Sequence, residues 1–215
     1  MKTYAIVPVK KFENSKTRLS PMLTPDERII LSALMLSSTL EVLAYTQLAQ
    51  VVVVSSDSRV QGIAARHGAR FLHEEKDTGV NSAVTLADNY CVEKGADATV
   101  VVPEDLPLLK TMDIAMVCDF AVNDASCIVI SPSIRYDGTN LLLRKPPRIM
   151  RTHFDNNSYV THIETAKDLG IPIKLFFSKS LMSDVDTPED IKQIAKETGG
   201  ISKTIDFLKQ MAGKF

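Results

Sequence analysis

The alternation of short β-branched runs with longer helical patterns constrains the fold of this chain more than any other feature. Six apolar runs of strand length lie at residues 4–9, 51–55, 69–73, 99–103, 127–131 and 173–177. Apolar runs without polar alternation are typical of strands that are buried on both faces of a sheet. The sequence therefore predicts an α/β fold with three layers, α/β/α, around a mainly parallel mixed sheet.

Helical patterns fill the intervals between these runs. Thr24, Pro25 and Glu27 have the spacing of a capping box with proline at the first helical position, which predicts a helix to about Tyr45. Three further patterns each stop at a glycine, which predicts helices at 58–67, 81–94 and 158–169.

Two further segments lie outside this regular alternation of strands and helices. A last helix is expected at 202–211, after Gly199 and Gly200, and its apolar residues could pack on the body of the protein or on a second subunit. The segment 144–151 is basic and interrupted by prolines, and we interpret it as a flap.

Composition limits the function classes. The 215 residues carry a formal net charge of -1, so no global field would attract nucleic acid or an anionic membrane. Three cysteines without CxxC spacing argue against a disulfide framework or a zinc cluster and favour a reducing compartment. No signal-peptide pattern or membrane-spanning run is present, and the hydrophobic content of 45% suits one core. We expect one cytoplasmic domain over residues 1–215.

The loops after the strands are where ligands are expected, because open α/β sheets bind them beyond the carboxyl ends of the strands. The first loop contains the cations Lys10, Lys11, Lys16 and Arg18. This cluster would suit a triphosphate, and since the loop has no glycine, side-chain charge must bind the phosphates. A solvated basic loop is an equally good interpretation of this feature alone.

Two acidic segments predict a metal site. Asp105 follows one apolar run in the segment Pro-Glu-Asp-Leu-Pro, while Asp184 and Asp186 precede a helix that Thr187 would cap. Residues two apart in an extended segment point the same way, and Mg²⁺ is commonly held by one or two carboxylates together with substrate phosphates. These three carboxylates could together hold Mg²⁺ or Mn²⁺. Ordinary turn and capping chemistry is the alternative for each segment.

A further polar group predicts a pocket for an acceptor substrate. Hydroxyls and the free N–H groups of a helix start favour an anion, and the candidates are Thr139, Asn140, Asp155, Ser158 and His162, beside Gly138. Turn and capping chemistry is the better interpretation of these residues taken alone.

The remaining candidates would contact the nucleotide: Pro8, Ser55, Asp57 and Asn81. Asp57 and Asn81 could equally be helix caps. The four histidines show no metal-ligand spacing, and no nucleophile–histidine grouping is evident, so covalent catalysis is not expected.

The segments AIVPVK, SKTRL, VPEDLPLL, DGTNLLL, NNSYVTH and DVDTPED, in this order, resemble the archaeal 2-phospho-L-lactate guanylyltransferases over nearly the whole chain. The resemblance implies a glycosyltransferase-A-like nucleotidyltransferase fold and transfer of GMP from GTP to 2-phospho-L-lactate in deazaflavin coenzyme biosynthesis. Bacterial relatives use phosphoenolpyruvate. The partners would be GTP and a small phosphorylated 2-hydroxy acid, and we expect a homodimer.

The resemblance also implies roles for single residues. Lys16 and Arg18 would hold the triphosphate, Asp105 and Asp186 the metal with Asp184 near them, and Thr139 and Ser158 the acceptor. Where the family often has FGxGS, this chain has FDNNS at 154–158, so the acceptor loop is expected to differ in shape.

The expected reaction is in-line attack of the acceptor phosphate on the α-phosphorus of GTP, with pyrophosphate leaving. A phosphate monoester has its second pKa near about 6, so no general base is required. One alternative is a sugar or molybdopterin nucleotidyltransferase, against which the missing glycine-rich first loop and the Gly-Thr-Asn triplet argue. The other is a nucleotide-binding regulator without catalysis, against which the three aspartates argue.

Overall fold

The computed structural model describes residues 1–197 and 202–214. One mixed sheet contains the strands β1 (Thr3–Pro8), β2 (Gln50–Ser55), β3 (Arg70–His73), β4 (Ala98–Val101), β5 (Cys127–Pro132), β6 (Thr139–Lys145) and β7 (Ile173–Leu175). Their order across the sheet is β3-β2-β1-β4-β6-β5-β7. Strand β6 runs antiparallel to β4 and β5, and the other pairings among the described strands are parallel. The predicted α/β fold with a mainly parallel sheet is confirmed.

The described helices are α1 (Pro25–Ala44), α2 (Ser58–Arg66), α3 (Val80–Glu93), α4 (Thr111–Ala121), α5 (Ser158–Asp168), α6 (Lys179–Met182), α7 (Pro188–Ala195) and α8 (Lys203–Ala212). The predicted capping box is present at the start of α1, where the Thr24 side chain accepts from the backbone N–H of Glu27. Among the described residues, no helix combines the length and apolar character that crossing a bilayer requires.

Alternate residues of β1 face different helix layers, which explains why the run is apolar throughout. Ala5 and Val7 pack in a cluster with α1, α2 and α4, whereas Tyr4 and Ile6 pack with α3. Helix α5 covers the face of β5 and β6 that continues the α3 side, since Val101 of β4 pairs with Leu142 of β6. Helices on both sides of the sheet give the predicted three layers.

Helix α8 packs on the body of the protein. Its buried residues Ile205, Leu208 and Met211 join an apolar cluster with residues of α1 and α7, such as Leu31 and Ile191. This contact decides between the two positions that the sequence left open. Gly199 and Gly200, expected before the helix, lie outside the described residues.

Strand β6 corrects the sequence analysis, which predicted a flap from residue 144 and no strand before it. Arg144 lies within β6, and its side chain is 1% exposed and paired with Asp88, with 2.7 Å between Nη2 and Oδ1. The same guanidinium lies 3.3 Å from the hydroxyl of Thr99. The sequence gives no sign that Arg144 is buried, because its partner Asp88 lies 56 residues away in the chain. Residues 146–150 do form turns and bends.

Candidate active site

A cleft of about 630 Å³ opens beyond the carboxyl ends of β1 and β4. Because β6 is antiparallel to β4, its first residues lie at the same edge of the sheet. Many of the residues that sequence analysis proposed line this cleft: Pro8, Lys10, Lys16, Arg18, Asp105, Thr139, Asn140, Asp155, Ser158, Asp184 and Asp186. The structure therefore brings together the first loop, the acidic segments and much of the acceptor group.

Lys16 is the central cation of the cleft. Its backbone is left-handed, with a φ of 54°, between two short 3-10 turns of the first loop. Its Nζ lies 2.6 Å from Oδ2 of Asp105 and 3.9 Å from Oδ1 of Asp186, and its side chain is 6% exposed. Burial alone would lower the pKa of this ammonium, but the charges of Asp105, Glu104 and Asp186 outweigh it and raise the pKa above its usual value. Lys16 is therefore held charged.

The acidic segments are joined through their backbones as well as through Lys16. The N–H of Val185 donates to the carbonyl of Asp105 at 3.1 Å, which fixes the two segments side by side. Arg18 contacts the outer oxygen of Asp186, with 2.7 Å between Nη1 and Oδ2. Asp105 and Asp186, distant in the chain, thus both lie near the Lys16 ammonium, at 2.6 and 3.9 Å.

Asp184 lies deeper than Asp186. The amide of Asn140 donates to its Oδ1 at 3.1 Å, and Nη2 of Arg135 lies 3.5 Å from its Oδ2. Burial, followed by the negative charge of Asp105, raises the pKa of the Asp184 carboxyl.

The fit of these acids to a divalent cation follows from their donor chemistry. Within the described ranges, no group of three or more His, Cys, Asp or Glu side chains could hold a metal ion, so the site predicted from Asp105, Asp184 and Asp186 together is not formed. Instead, the ammonium of Lys16 lies between Asp105 and Asp186. Hard cations such as Mg²⁺ often use only one or two carboxylates and complete their shell with water and substrate phosphates. Two oxygen ligands on this edge of the sheet fit that pattern.

The residues predicted to bind the acceptor substrate lie mainly on β6 and α5. Thr139 and Asn140 are consecutive strand residues, so their side chains point to opposite faces. The Thr139 hydroxyl faces α5, where Oγ of Ser158 donates to it at 3.2 Å, while Asn140 faces Asp184. Ser158 is the first residue of α5 and not its N-cap, which is Asn157, so the capping interpretation of Ser158 is wrong.

Residues 3–214 match the family model described as guanylyl transferase CofC like. The chain belongs to this family. Among its CofC-like relatives, the phosphoenolpyruvate guanylyltransferase of Rubrobacter xylanophilus is 33% identical over 94% of this chain and 97% of its own length. The 2-phospho-L-lactate guanylyltransferase of Methanothermobacter thermautotrophicus is 35% identical, over 90% of this chain and 84% of its own. As a member of this family, the CofC-like chain is a nucleotidyltransferase.

Solved structures agree with the fold. A protein from Desulfovibrio desulfuricans, assigned as a nucleotide-diphospho-sugar transferase, superposes on the CofC-like chain with a TM-score of 0.80 at 16% identity, covering 100% of this chain and 98% of that one. A cytidylyltransferase from Leptospira borgpetersenii gives a TM-score of 0.64 at 15% identity, covering 100% and 95%. At such identity these likenesses show the glycosyltransferase-A-like architecture alone.

Five predicted contact residues do not line the cleft of the CofC-like protein: Lys11, Ser55, Asp57, Asn81 and His162. Asp57 is the N-cap of α2, as its alternative interpretation predicted, and accepts from the backbone N–H groups of Arg59 and Phe12 at 3.0 and 3.1 Å. Ser55 in turn accepts from the backbone of Asp57 at 3.1 Å. These two side chains hold the first loop, where the sequence predicted nucleotide contact.

Unlike Asp57, Asn81 is not a helix cap, since it is the second residue of α3. Its Oδ1 accepts from the N–H of Phe154 at 2.9 Å, and its Nδ2 donates to Asp155 at 3.0 Å. The amide thus ties the acceptor loop to α3. Its contact with the nucleotide stays a prediction.

His162 is fully buried behind Thr139. Its Nδ1 lies 3.0 Å from the Thr139 hydroxyl, and its Nε2 accepts from the backbone N–H of His153 at 2.8 Å. Burial, with help from the charges of His153 and Arg144, lowers the pKa of His162 to about 3. The predicted direct contact of His162 with substrate is therefore replaced by contact with Thr139.

Sequence reasoning missed two charged residues of the cleft. Glu104 is buried, and this burial, followed by the charge of Asp105, raises its pKa to about 7. Its position next to Asp105 was a usable signal. Arg135 lies in the turn after β5 and contacts Asp190 at 3.0 Å as well as Asp184. Nothing in the sequence distinguishes Arg135 from other surface arginines.

Proposed function

We propose that this CofC-like protein transfers GMP from GTP to 2-phospho-L-lactate and releases pyrophosphate. The observation that carries the proposal is the buried cation of Lys16 between Asp105 and Asp186, at the edge where β1 and β4 end. The hydroxyls of Thr139 and Ser158 face the same cleft. Two curated relatives with similarity over most of the chain are named for 2-phospho-L-lactate and for phosphoenolpyruvate.

The nucleotide half of the reaction uses charge. Lys10, Lys16 and Arg18 lie on one wall of the cleft and would bind the triphosphate through side-chain ammonium and guanidinium groups, since the loop lacks a glycine cradle. Asp105 and Asp186 would hold Mg²⁺ or Mn²⁺. When bound, such an ion neutralises negative charge on the phosphate oxygens. Lys16, already paired to both acids, would orient them toward the same point.

The acceptor half uses neutral hydrogen-bond donors. Thr139 and Ser158 would bind carboxylate or phosphate oxygens of the acceptor and hold its phosphate in line with the α-phosphorus. The acceptor phosphate is largely ionised at neutral pH, so the attacking oxygen needs no general base. This agrees with His162, which contacts Thr139 and is buried and held neutral.

The test is pyrophosphate release with each of the four nucleoside triphosphates, combined with 2-phospho-L-lactate or phosphoenolpyruvate. We expect release with GTP and 2-phospho-L-lactate. Turnover with phosphoenolpyruvate alone would keep guanylyl transfer and replace the acceptor. Tight GTP binding without release would favour a regulator, and turnover with sugar phosphates would favour a sugar nucleotidyltransferase.

The wider role is part of the same proposal. Deazaflavin coenzyme biosynthesis, a cytoplasmic location and a homodimer are expected from the resemblance and the composition. Light scattering in solution tests the dimer, and loss of the coenzyme on deletion of the gene tests the pathway.

A further inference from the structure

The hydroxyl of Thr139 has two hydrogen-bond partners in the protein. Oγ of Ser158 donates to Oγ1 of Thr139 at 3.2 Å, and Nδ1 of His162 lies 3.0 Å from the same oxygen. A hydroxyl oxygen has two acceptor lone pairs and one O–H donor. Whether both lone pairs are filled depends on which nitrogen of His162 carries the proton.

The backbone decides the tautomer of His162. The N–H of His153 can only donate, and it points at Nε2 from 2.8 Å, so Nε2 must be the unprotonated nitrogen. The ring is neutral because burial lowers its pKa to about 3, so its single proton lies on Nδ1, the nitrogen that faces Thr139.

Both lone pairs of the Thr139 oxygen are therefore occupied, and its own hydrogen must point elsewhere. Among the hydrogen bonds of residues 1–197 and 202–214, Thr139 Oγ1 has these two partners and no protein acceptor. Thr139 lines the cleft, so the direction left for its O–H is the cleft itself.

We propose that His162 is a positioning residue that acts through Thr139, by fixing the Thr139 hydroxyl as a permanent donor toward the acceptor substrate. The proposal rests on the proposed function in one respect, that the acceptor binds beside Thr139. It identifies the ligand atom at this point as a hydrogen-bond acceptor, such as a carboxylate or phosphate oxygen, and excludes a donor such as a hydroxyl that gives its own hydrogen.

Two substitutions separate this role from a structural one. His162→Asn places an amide N–H near the position of Nδ1 and keeps the donor to Thr139, whereas His162→Gln places an amide oxygen near Nε2 and keeps the acceptor for His153. We expect His162→Gln and His162→Phe to raise the acceptor KM on the order of tenfold, the effect of one hydrogen bond to a charged group, with the GTP KM within about twofold of wild type. His162→Asn should stay closer to wild type. Rescue by Gln and not by Asn would overturn the proposal.

A double variant tests whether the effect passes through Thr139. In a Thr139→Val background, His162→Phe should raise the acceptor KM no further, because the hydroxyl it positions is absent. Additive effects of the two substitutions would contradict the proposal. Thermal melting of each variant checks that it is folded.

The tautomer gives a readout that needs no substrate. Nitrogen NMR of the wild-type imidazole should show the Nδ1–H form of His162 throughout pH 5–8, with the Nδ1 resonance shifted in Thr139→Val. An Nε2–H form, or titration of His162 in that range, overturns the proposal even if guanylyl transfer is confirmed. If neither acceptor supports pyrophosphate release, the proposed function fails, and the tautomer still decides whether His162 fixes the hydroxyl.

Discussion

The ammonium of Lys16 lies 2.6 Å from Oδ2 of Asp105, although 89 residues separate the two in the chain. A lysine this deeply buried stays charged because acids lie beside it, and these acids raise the pKa of Lys16. The pair therefore ties the first loop to the segment after β4. It also places an ammonium group where the triphosphate is proposed to bind.

Removing one acid should stop turnover without unfolding the protein. Asp186→Asn and Asp105→Asn should each lower kcat by about 100-fold or more. Each removes a carboxylate charge that would hold the metal ion, and this ion would neutralise the negative charge that develops on the phosphates. Asp105→Asn should also lower the melting temperature, since it leaves Lys16 with less compensation. Pyrophosphate release and circular dichroism measure both effects. The control is Asp168→Asn, an exposed acid at the far end of α5, and wild-type activity in either site variant would refute the assignment.

The pKa of Glu104, raised from its ordinary value to about 7, predicts a pH dependence of stability. Between pH 4.5 and 7 the folded protein binds this proton and the unfolded chain releases it, so the contribution of Glu104 to stability falls as pH rises through that window. In Glu104→Gln this loss is absent. Relative to wild type, the variant should therefore be more stable at pH 8 than at pH 5, with a larger free energy of unfolding. Urea unfolding at both pH values measures it, and parallel pH curves would contradict the raised pKa.

The buried pair of Arg144 and Asp88 should be costly to break and cheaper to replace. Arg144→Met leaves Asp88 buried without its partner and should cost about 3–5 kcal/mol in the free energy of unfolding. The double variant Arg144→Met with Asp88→Leu should recover much of this loss, because no unpaired charge remains. The control is Arg148→Met, since that arginine is exposed and contacts Asn89 on the surface. A single variant as stable as wild type would show that the pair contributes little.

The tie between Asn81 and the acceptor loop predicts a selective effect on the acceptor. Asn81→Ala removes the partner of the Phe154 N–H and of Asp155, so the loop should lose its fixed shape and the acceptor KM should rise several-fold. The KM for GTP should change little. Ser82→Ala, at the exposed neighbouring position of α3, is the matched control. A rise in the GTP KM alone would instead restore the nucleotide contact that the sequence predicted for Asn81.

The sequence predicted the fold well because the information is local. Continuous apolar runs such as Val51–Ser55 mark strands covered on both faces, and the capping box of Thr24 and Glu27 marks the start of α1. Strand β6 was missed for a physical reason. Its Arg144 is neutralised by a residue of α3, and no local pattern records a partner so far away.

The site was predicted in part for the same reason. Asp105 and the cations of the first loop come soon after β4 and β1, so the topology brings them to one edge, whereas Asp184 and Asp186 lie between the helices α6 and α7. Which side chains face the cleft and which hold their neighbours depends on pairing across the fold. Asp57, Asn81 and His162 each satisfy a backbone or hydroxyl group near the cleft, and a sequence cannot show that their polar atoms are already used.

The adjacency of Thr139 and Asn140 on β6 limits how the acceptor side can evolve. A slip of β6 by one residue against β4 and β5 would exchange the two side chains between the α5 face and the Asp184 face. The hydrogen bonds of Thr139 to α5 and of Asn140 to Asp184 would both be lost. A change of acceptor between relatives is therefore expected to arise by replacement of single residues at an unchanged register of β6.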